Sequence, residues 1–363
     1  MDFPENFPKN RDFDHPNSRP DGLYFDLPEA EYHAEPRFST SGIKELRVSP
    51  RDFWIGSYLN PEREIDEDTE AKAIGSAYHK RILEGKEAFY RLYAAALDRA
   101  DYPSALITTA DLRNALAERG LKTSDNKDAL IARLFTDDPT IEIWDALVSA
   151  HARKNEGKIL LPFKTMRRIE MAAAMIEGHP DLGRCIVGGY SEVSIFWHDE
   201  ETGVPCKGRV DYLKTQAIVD LKSFSNALRK PLDAAVRSAM ANYGYYVQAA
   251  MYWRAIERAV QFARLGRVFG EGDRGYWLKS FIRANPDERQ FIFLFQNTGP
   301  AQVARGYVLP RGTVFGIGEV VARESLQIYR NCVDTFGDGP WVDLQPITAF
   351  DDVQFPAWLG QSS

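Results

Sequence analysis

The clearest pattern of hydrophobic and polar positions lies in residues 190–223, where the two types alternate with a period of two. Such alternation is typical of β-strands, because successive side chains of a strand point to opposite faces of the sheet. We therefore predict three strands, with the sequences YSEVSIFWH, CKGRVDYL and AIVDLKS. The turn DEETGVP separates the first two strands, and a tight hairpin connection joins the last two.

Other segments repeat their apolar residues at helical spacing. Residues 68–84 predict a helix, in which Gly75 costs about 1 kcal/mol relative to Ala and therefore indicates close packing of the backbone. Near residue 40, a serine can cap a short helix, and the pair Ser49-Pro50 ends that helix and begins another.

Residues 108–135 predict a helix, a turn at Gly120 and a second helix. Leu112 and Leu116 lie one helical turn apart, and Leu130 and Leu134 repeat this spacing after the turn. The plainest interpretation is an ordinary helical hairpin that packs on its host domain.

The length of 363 residues predicts two domains, or one large domain with an insertion. We expect a flexible arm at 1–22, a core in two parts at 23–103 and 139–345, the hairpin as an insertion at 104–138, and a tail at 346–363. An apolar fraction of 44% and a charged fraction of 27% are ordinary for a globular protein. The absence of a long apolar run argues against a membrane span, and the N-terminal sequence does not resemble a signal peptide, so we predict a cytoplasmic protein.

Charge and cysteine content limit the possible partners. The net charge of −7 argues against a general polyanion binder, but residues 147–170 carry six Lys and Arg against two Glu and could contact phosphates locally. A run of charge is more often a solvated helix face. The three cysteines include no CxxC pair, which predicts reduced, structural thiols and no zinc site.

The hairpin between the second and third strands carries the strongest chemical pattern. A two-residue loop at Thr215–Gln216 would place Asp211 opposite Asp220, and Lys222 would share their face of the sheet. Val219 and Leu221 would enter the core on the other face of the sheet.

Two carboxylates that face each other on adjacent strands repel unless something compensates their charge. A hard divalent cation such as Mg²⁺ would do so, because it prefers carboxylate oxygens. The alternative is a solvent-exposed carboxylate pair with Lys222 as a salt-bridge partner. Burial beside a cation would lower the pKa of Lys222.

Asp211, followed nine positions later by Asp220-Leu221-Lys222, resembles the PD-(D/E)XK nuclease signature. The wider context resembles the exonuclease VIII (RecE-type) nucleases, and it consists of Gly75-x-x-x-His79, Glu192, Lys207-Gly208-Arg209-x-Asp211 and Gln248-x-x-x-Tyr252. The helical hairpin resembles the SAP family of small DNA-binding units, at Leu112, Leu116, Gly120, Leu121, Lys127, Leu130, Arg133 and Leu134.

These resemblances imply an α/β fold of the restriction-endonuclease-like type, with a central mixed sheet flanked by helices and an inserted SAP-like unit. They imply a Mg²⁺-dependent deoxyribonuclease, which Mn²⁺ would also support. Relatives with an iron–sulfur cluster carry four cysteines, so the three scattered cysteines of this chain argue against a cluster. The expected reaction is processive 5′-to-3′ degradation of double-stranded DNA from its ends. The expected partners are double-stranded DNA, a single-strand annealing protein and further copies of the chain in a ring.

The resemblance also implies roles for individual residues. Asp211, Asp220, the Leu221 carbonyl and His79 would bind the metal, while Lys222 would position water or stabilise charge on the phosphate. Further catalytic candidates are Glu192, Gln248 and Tyr252. Candidates for DNA contact are Ser39, Ser41, Lys44, Lys127, Arg133 and Arg209.

Several alternatives remain open at the level of sequence. Glu192 could be a surface carboxylate, His79 a core histidine, and Ser39 a simple helix cap. The whole chain could be a catalytically inert SAP-type adaptor that binds DNA. Within the nucleases, an endonuclease or a Cas4-like processing nuclease is the alternative to an exonuclease.

Overall fold

We analysed a computed structural model, which describes residues 18–64, 69–299, 301–342, 347, 349 and 351. Residues 1–17 of the predicted arm and most of the predicted tail lie outside this part of the chain. The strands are β1 (Gly22–Tyr24), β2 (Tyr93–Ala95), β3 (Ile159–Leu161), β4 (Tyr190–His198), β5 (Pro205–Leu213), β6 (Ala217–Phe224), β7 (Val268–Phe269), β8 (Gln290–Asn297) and β9 (Ala304–Leu309).

The helices of the described residues are α1 (Glu29–Ala34), α2 (Thr40–Val48), α3 (Pro50–Gly56), α4 (Glu70–Leu83), α5 (Gly85–Leu92), α6 (Thr109–Glu118), α7 (Lys127–Asp137), α8 (Trp144–Lys154), α9 (Phe163–Gly178), α10 (Pro180–Cys185), α11 (Leu232–Asn242), α12 (Tyr245–Arg264), α13 (Gly275–Arg283) and α14 (Thr313–Phe336). Two short 3₁₀ turns lie at Arg99–Asp101 and Pro286–Glu288. None of the helices in this part of the chain combines the length and apolar character that a membrane crossing requires.

Seven strands form one mixed sheet in the order β7-β1-β4-β5-β6-β8-β9. The pairs β1–β4, β4–β5, β5–β6 and β8–β9 are antiparallel, whereas β1–β7 and β6–β8 are parallel. Strands β2 and β3 form a separate parallel pair. The predicted α/β fold with a central mixed sheet is therefore confirmed.

Helices cover both faces of the sheet because β6 is apolar on both sides. Ile218 belongs to the larger core, which α2, α12 and α14 build with one face of the sheet. Val219 and Leu221 belong to a second core, which α4 and α9 build on the other face. All three side chains are fully buried, and the prediction that Val219 and Leu221 enter the core is confirmed.

The predicted local elements agree closely with the structure. The three predicted strands correspond to β4, β5 and β6, and the helix predicted at 68–84 corresponds to α4. A Cβ at Gly75 would lie 3.3 Å from the Ser223 Oγ, which confirms close approach between α4 and the end of β6. Ser49 ends α2 and caps α3, because its side chain accepts a hydrogen bond from the Asp52 N–H.

The predicted hairpin register is correct next to the turn, but the ladder between the two strands ends before it reaches Asp211 and Asp220. Tyr212 pairs with Val219, and the Lys214 N–H donates to the Ala217 carbonyl, as a two-residue loop requires. Beyond these positions β5 and β6 separate, so Asp211 and Asp220 are not partners in the ladder. β6 instead continues along β8, its parallel neighbour. This separation leaves room for side chains between the two strands.

The predicted helix-turn-helix is present as α6 and α7, with its own hydrophobic core. Thr108 and Asp111 form a capping box at the start of α6, and Gly120 adopts the left-handed conformation at the turn. The core extends beyond the predicted boundary at residue 138, because Ile141 and Ile143 pack into it. The SAP-like identity of this unit stays a prediction.

Candidate active site

A cavity of about 900 Å³ opens where β4 and β5 meet α1, α2 and α4. Its wall combines carboxylates, an imidazole, hydroxyls and cations. The lining residues that the sequence predicted as site residues are His79, Glu192, Asp211, Gln248, Tyr252, Ser39, Ser41, Lys44 and Arg209. The fold therefore brings nine of the predicted residues, from five different elements, to one concave surface.

Three of these residues form a group with metal-ligand geometry. One ligand atom each from His79, Glu192 and Asp211 lies within 4.8 Å of the other two. The His79 Nδ1 is 3.7 Å from the Asp211 Oδ2. Burial lowers the pKa of His79, so the imidazole stays neutral over a wider pH range, which is the form that binds a metal.

Glu192 reaches this group through an unusual backbone conformation. It sits in β4 opposite Asp211, between the ladder pairs Ser191–Tyr212 and Val193–Val210, and its φ is +52°. A non-glycine residue with positive φ inside a strand is strained, and such strain is concentrated at functional sites. The Arg209 Nε donates a 2.7 Å hydrogen bond to the Glu192 Oε2 and holds the carboxylate in place.

Asp220 and Lys222 form a second, adjacent arrangement on β6. Asp220 is fully buried, and its Oδ2 lies 2.6 Å from the Lys222 Nζ as a close ion pair. The Gln248 Nε2 donates a 2.8 Å hydrogen bond to the Asp220 Oδ1. Asp220 is thus held by a cation and an amide, and it lies outside the group formed by His79, Glu192 and Asp211. Its predicted role as a metal ligand stays a prediction.

The Leu221 backbone links the two arrangements. Its N–H donates a 2.7 Å hydrogen bond to the Asp211 Oδ2, which replaces the missing ladder contact between β5 and β6. The Leu221 backbone also interacts with His79 and raises its pKa in opposition to burial. Metal binding by the Leu221 carbonyl stays a prediction.

Two carboxyl groups of this site hold their protons more tightly than usual. Burial first, and then the neighbouring Asp220 carboxylate, raise the pKa of Asp211 to about 8. Burial and the Asp211 carboxylate raise the pKa of Glu192. Burial and mutual repulsion therefore disfavour the ionised form of these carboxyl groups, whose oxygens are the ligands that Mg²⁺ and Mn²⁺ prefer. The donor set fits a divalent cation.

Lys222 remains a cation in this surrounding. Burial lowers its pKa, but the Asp220 and Asp211 carboxylates outweigh burial and raise the pKa above its ordinary value. The ion pair with Asp220 within the protein itself is the main cause of this rise. The lowering expected beside a bound metal cation stays a prediction.

Tyr245 is a site residue that the sequence analysis missed. The Lys222 Nζ lies 4.7 Å from the centre of its ring, and the Lys44 Nζ lies 5.8 Å from it. The ring thus makes cation–π contacts with both amines. Tyr245 precedes Gln248 by three positions on α12, so the face that Gln248 and Tyr252 define could have revealed it.

The remaining cavity residues have local structural roles as well. The Ser39 side chain caps α2 by accepting from the Gly42 N–H, and the Ser39 and Ser41 hydroxyls are 2.8 Å apart. Tyr252 is largely buried, and a Cβ at Gly208 would lie 3.4 Å from its ring. Arg209 is mostly buried and also donates to the Leu27 carbonyl. Contact of these residues with DNA or the reacting phosphate stays a prediction.

The two predicted DNA contacts of the helical hairpin lie elsewhere in the molecule. The Lys127 Nζ forms a 2.5 Å ion pair with Asp145, and the Arg133 Nη2 forms a 2.7 Å pair with Asp125. Both cations are therefore neutralised by carboxylates of the same unit or of α8, which follows it.

Comparison with known proteins finds one matching family and a distant solved structure. The sequence model of a family described as a PDDEXK-like domain of unknown function (DUF3799) matches residues 39–265, which is more than half of the chain. A provisionally named exonuclease from Eubacterium rectale, known from a crystal structure, is 15% identical, with a TM-score of 0.45 and coverage of 84% of this chain and 86% of that one. A search of curated proteins finds no match.

Proposed function

The chain belongs to the family of PDDEXK-like domains of unknown function (DUF3799), and we propose that it is a metal-dependent nuclease that hydrolyses DNA. The family match, at residues 39–265, includes the nine sequence-predicted residues that line the cavity. The cavity residues at 26–33 lie outside the match. The proposal goes beyond the match in naming the substrate, the reaction mode and the role of each residue.

One observation is the main support for this proposal. His79, Glu192 and Asp211 converge in an open cavity, and Asp220 holds Lys222 beside them. An inert DNA-binding fold has no need for buried carboxylates whose pKa values are raised, since such groups cost stability. Clusters of this kind are typical of functional sites.

Each residue has a defined task in this proposal. His79, Glu192 and Asp211 hold the divalent ion, with Asp220 as the further candidate ligand. When bound, the ion supplies Lewis-acid polarisation of the scissile phosphate and makes water a stronger nucleophile. Lys222 keeps its proton and stabilises negative charge on the reacting phosphate.

The neighbouring side chains hold these groups in position. Gln248 fixes Asp220 through its amide, and the Tyr245 ring contacts the amines of Lys222 and Lys44. Lys44, with the hydroxyls of Ser39 and Ser41, would contact a phosphate on the side of the cavity formed by α2. Arg209 orients Glu192 through its ion pair.

The substrate that we propose is double-stranded DNA, degraded from its ends in the 5′-to-3′ direction. Mn²⁺ would replace Mg²⁺, because both ions accept a set of carboxylate ligands. We propose a cytoplasmic protein that works with a single-strand annealing partner and with further copies of itself. These details rest on the resemblance to exonuclease VIII rather than on the site geometry.

The direct experiment compares linear duplex DNA, labelled at its 5′ or 3′ ends, with covalently closed circular DNA. Mg²⁺ should allow degradation of the linear duplex with early release of the 5′ label, and a chelator should stop the reaction. The closed circle should remain intact. Cutting of the circle would replace the exonuclease by an endonuclease, and no cleavage of either substrate with Mg²⁺ or Mn²⁺ would contradict the nuclease.

A further inference from the structure

Six exposed cations lie together on the surface formed by the end of α8, by β3 and by the start of α9. This basic strip consists of Arg153, Lys154, Lys158, Lys164, Arg167 and Arg168. Glu156 is the one acidic residue in residues 153–169. In a chain whose net charge is −7, this local excess of positive charge is conspicuous.

The strip begins at the mouth of the cavity. Tyr93 lines the cavity and pairs with Ile159 in the β2–β3 ladder. Lys158, the preceding residue, donates a 2.7 Å hydrogen bond from its Nζ to the Tyr90 carbonyl. After β3 in the chain, α9 packs against α4, the helix that carries His79. The strip therefore adjoins two elements that form the wall of the cavity, β2 and α4.

The stability of the fold does not explain these cations. Lys164, Arg167 and Arg168 occupy the first two turns of α9, which has no acidic residue in its first turn. Cations at a helix N-terminus interact unfavourably with the helix dipole. None of the three has a described carboxylate within ion-pair distance, and the nearby Glu170 is paired with Arg81. Residues placed at such a cost indicate a ligand of opposite charge.

In the helical hairpin, four of the five cations form ion pairs, and Arg113 is the exception among the described residues. Lys122 and Arg133 pair with Asp125, Lys127 pairs with Asp145, and Arg119 pairs with Asp137. A cation that is already paired releases fewer counterions from DNA and contributes less to binding. The strip is thus better suited than the hairpin to contact the phosphates.

A single helix connects the two regions. Leu106 and Ile143 close the base of the hairpin by a parallel bridge, and Ile143 is also the N-cap of α8. From there α8 extends about 16 Å to Lys154. The His151 Nε2 lies 2.7 Å from the Ala95 carbonyl and fixes α8 to β2.

We infer that the basic strip is the surface that binds duplex DNA next to the cavity, whereas the paired cations of the hairpin contribute little to affinity. This inference rests on the proposed nuclease function and adds to it the place where the duplex lies. The contact is with phosphates, so it is independent of sequence and depends strongly on salt.

The test compares two variants that each remove two cations, K164Q/R167Q in the strip and K122Q/K127Q in the hairpin. Binding of a labelled blunt duplex is measured over a range of salt concentrations in the presence of a chelator, so that no cleavage occurs. We expect the strip variant to bind more weakly and to reduce the slope of log affinity against log salt by about 2. The hairpin variant should keep the slope of the wild type.

Folding and cleavage are measured beside binding. The strip variant should melt no earlier than the wild type, because it removes cations from a helix N-terminus. It should also cleave saturating duplex at the rate of the wild type, since neither residue belongs to the cavity. These readouts separate lost binding from lost folding or chemistry.

Several results would overturn the inference. The first is that the strip variant keeps the wild-type slope of log affinity against log salt. The second is that the hairpin variant loses more affinity for duplex DNA than the strip variant. The third is that the wild type does not bind duplex DNA. A strip variant that changes the oligomeric state in sedimentation without changing the slope would assign this surface to a second copy of the chain. A wild type that binds as expected but never cleaves would contradict the proposed nuclease and leave the strip supported.

Discussion

Charged side chains are arranged differently in the cavity and in the helical hairpin. In the cavity, Asp211 and Glu192 are partly buried with raised pKa values, and Glu192 also has a strained backbone. In the hairpin, cations and carboxylates pair at the surface around a small, well-capped apolar core. The first arrangement costs stability and offers chemistry, whereas the second contributes stability. This difference indicates which of the two regions is the reaction centre.

The largest effect should follow loss of the Lys222 amine. Lys222→Ala should reduce the cleavage rate by about 10²–10³-fold, as expected for removal of a positioned charge from a reaction centre. Metal affinity should stay near that of the wild type, because Lys222 pairs with Asp220 and not with the His79 group. Cleavage rates and calorimetric Mn²⁺ titrations measure the two quantities.

Lys214→Ala is the matched control on the β-hairpin of β5 and β6. The Lys214 Nζ donates to the Arg184 carbonyl, and Lys214 does not line the cavity. It should cleave like the wild type. Equal losses of cleavage rate in Lys222→Ala and Lys214→Ala would show that both substitutions disturb the fold of the β5–β6 hairpin rather than the site.

The charge of the cavity should also make the metal-free protein less stable as pH rises. Asp211 has a folded pKa raised to about 8, so it binds its proton more tightly when folded than when unfolded. Its stabilising contribution is full below pH about 4, the ordinary pKa of Asp, and is lost as pH rises through about 8. Thermal melting in a chelator should show this decline, and saturating Mn²⁺ should reduce it.

Asp211→Asn should flatten the decline, because an amide does not titrate in this range. A variant whose melting temperature depends on pH as steeply as that of the wild type would assign the effect to another group. The exposed carboxylates of the hairpin provide no such decline, since those with shifted pKa values have them lowered by their partners.

In the helical hairpin, we expect substitutions of the buried apolar residues to reduce stability most. Leu116 is fully buried, so Leu116→Ala should destabilise the unit by about 2–5 kcal/mol. Hydrogen exchange of the α6 amides should report this loss, while cleavage of a short duplex should continue. Glu118→Ala, on the exposed side of the same helix, is the control. Loss of short-duplex cleavage in Leu116→Ala would mean that the hairpin supports the cavity directly.

The smallest effect isolates the strain at Glu192. Glu192→Gly and Glu192→Ala both remove the carboxylate and its pair with Arg209, so they differ only in the cost of a positive φ. The Gly variant should be more stable by about 1–2 kcal/mol in urea denaturation. At Glu87 in α5 the same comparison should favour Ala, because Gly is unfavourable inside a helix. Equal stability of the two Glu192 variants would argue against strain.

The sequence predicts the elements of the core well because its patterns are local. Strand alternation and the short loop at Thr215–Gln216 specify β4, β5 and β6 and the register next to the turn. The separation of β5 from β6 depends on β8, which pairs with β6 and lies about seventy residues later in the chain. No pattern near Asp211 could therefore reveal that its ladder contact with Asp220 is replaced by the Leu221 N–H.

The candidate site was predictable where residue type and spacing determine it. His79, Asp211 and Gln248 follow from the resemblance and line the cavity together. The conformation of Glu192 and the cation–π contact of Tyr245 depend on tertiary packing, which residue type does not encode. The ion pairs of the hairpin likewise require the folded positions of α7 and α8.

The central claim is that Asp211 contributes to a metal site that cleavage requires, and Asp211→Asn tests it most directly. The amide oxygen can still accept the Leu221 N–H, so the variant should remain folded while one ligand charge is lost. Calorimetric titration with Mn²⁺, combined with cleavage of end-labelled linear duplex, should show binding and degradation by the wild type and neither by the variant. Wild-type binding of Mn²⁺ and wild-type cleavage in Asp211→Asn would contradict the account.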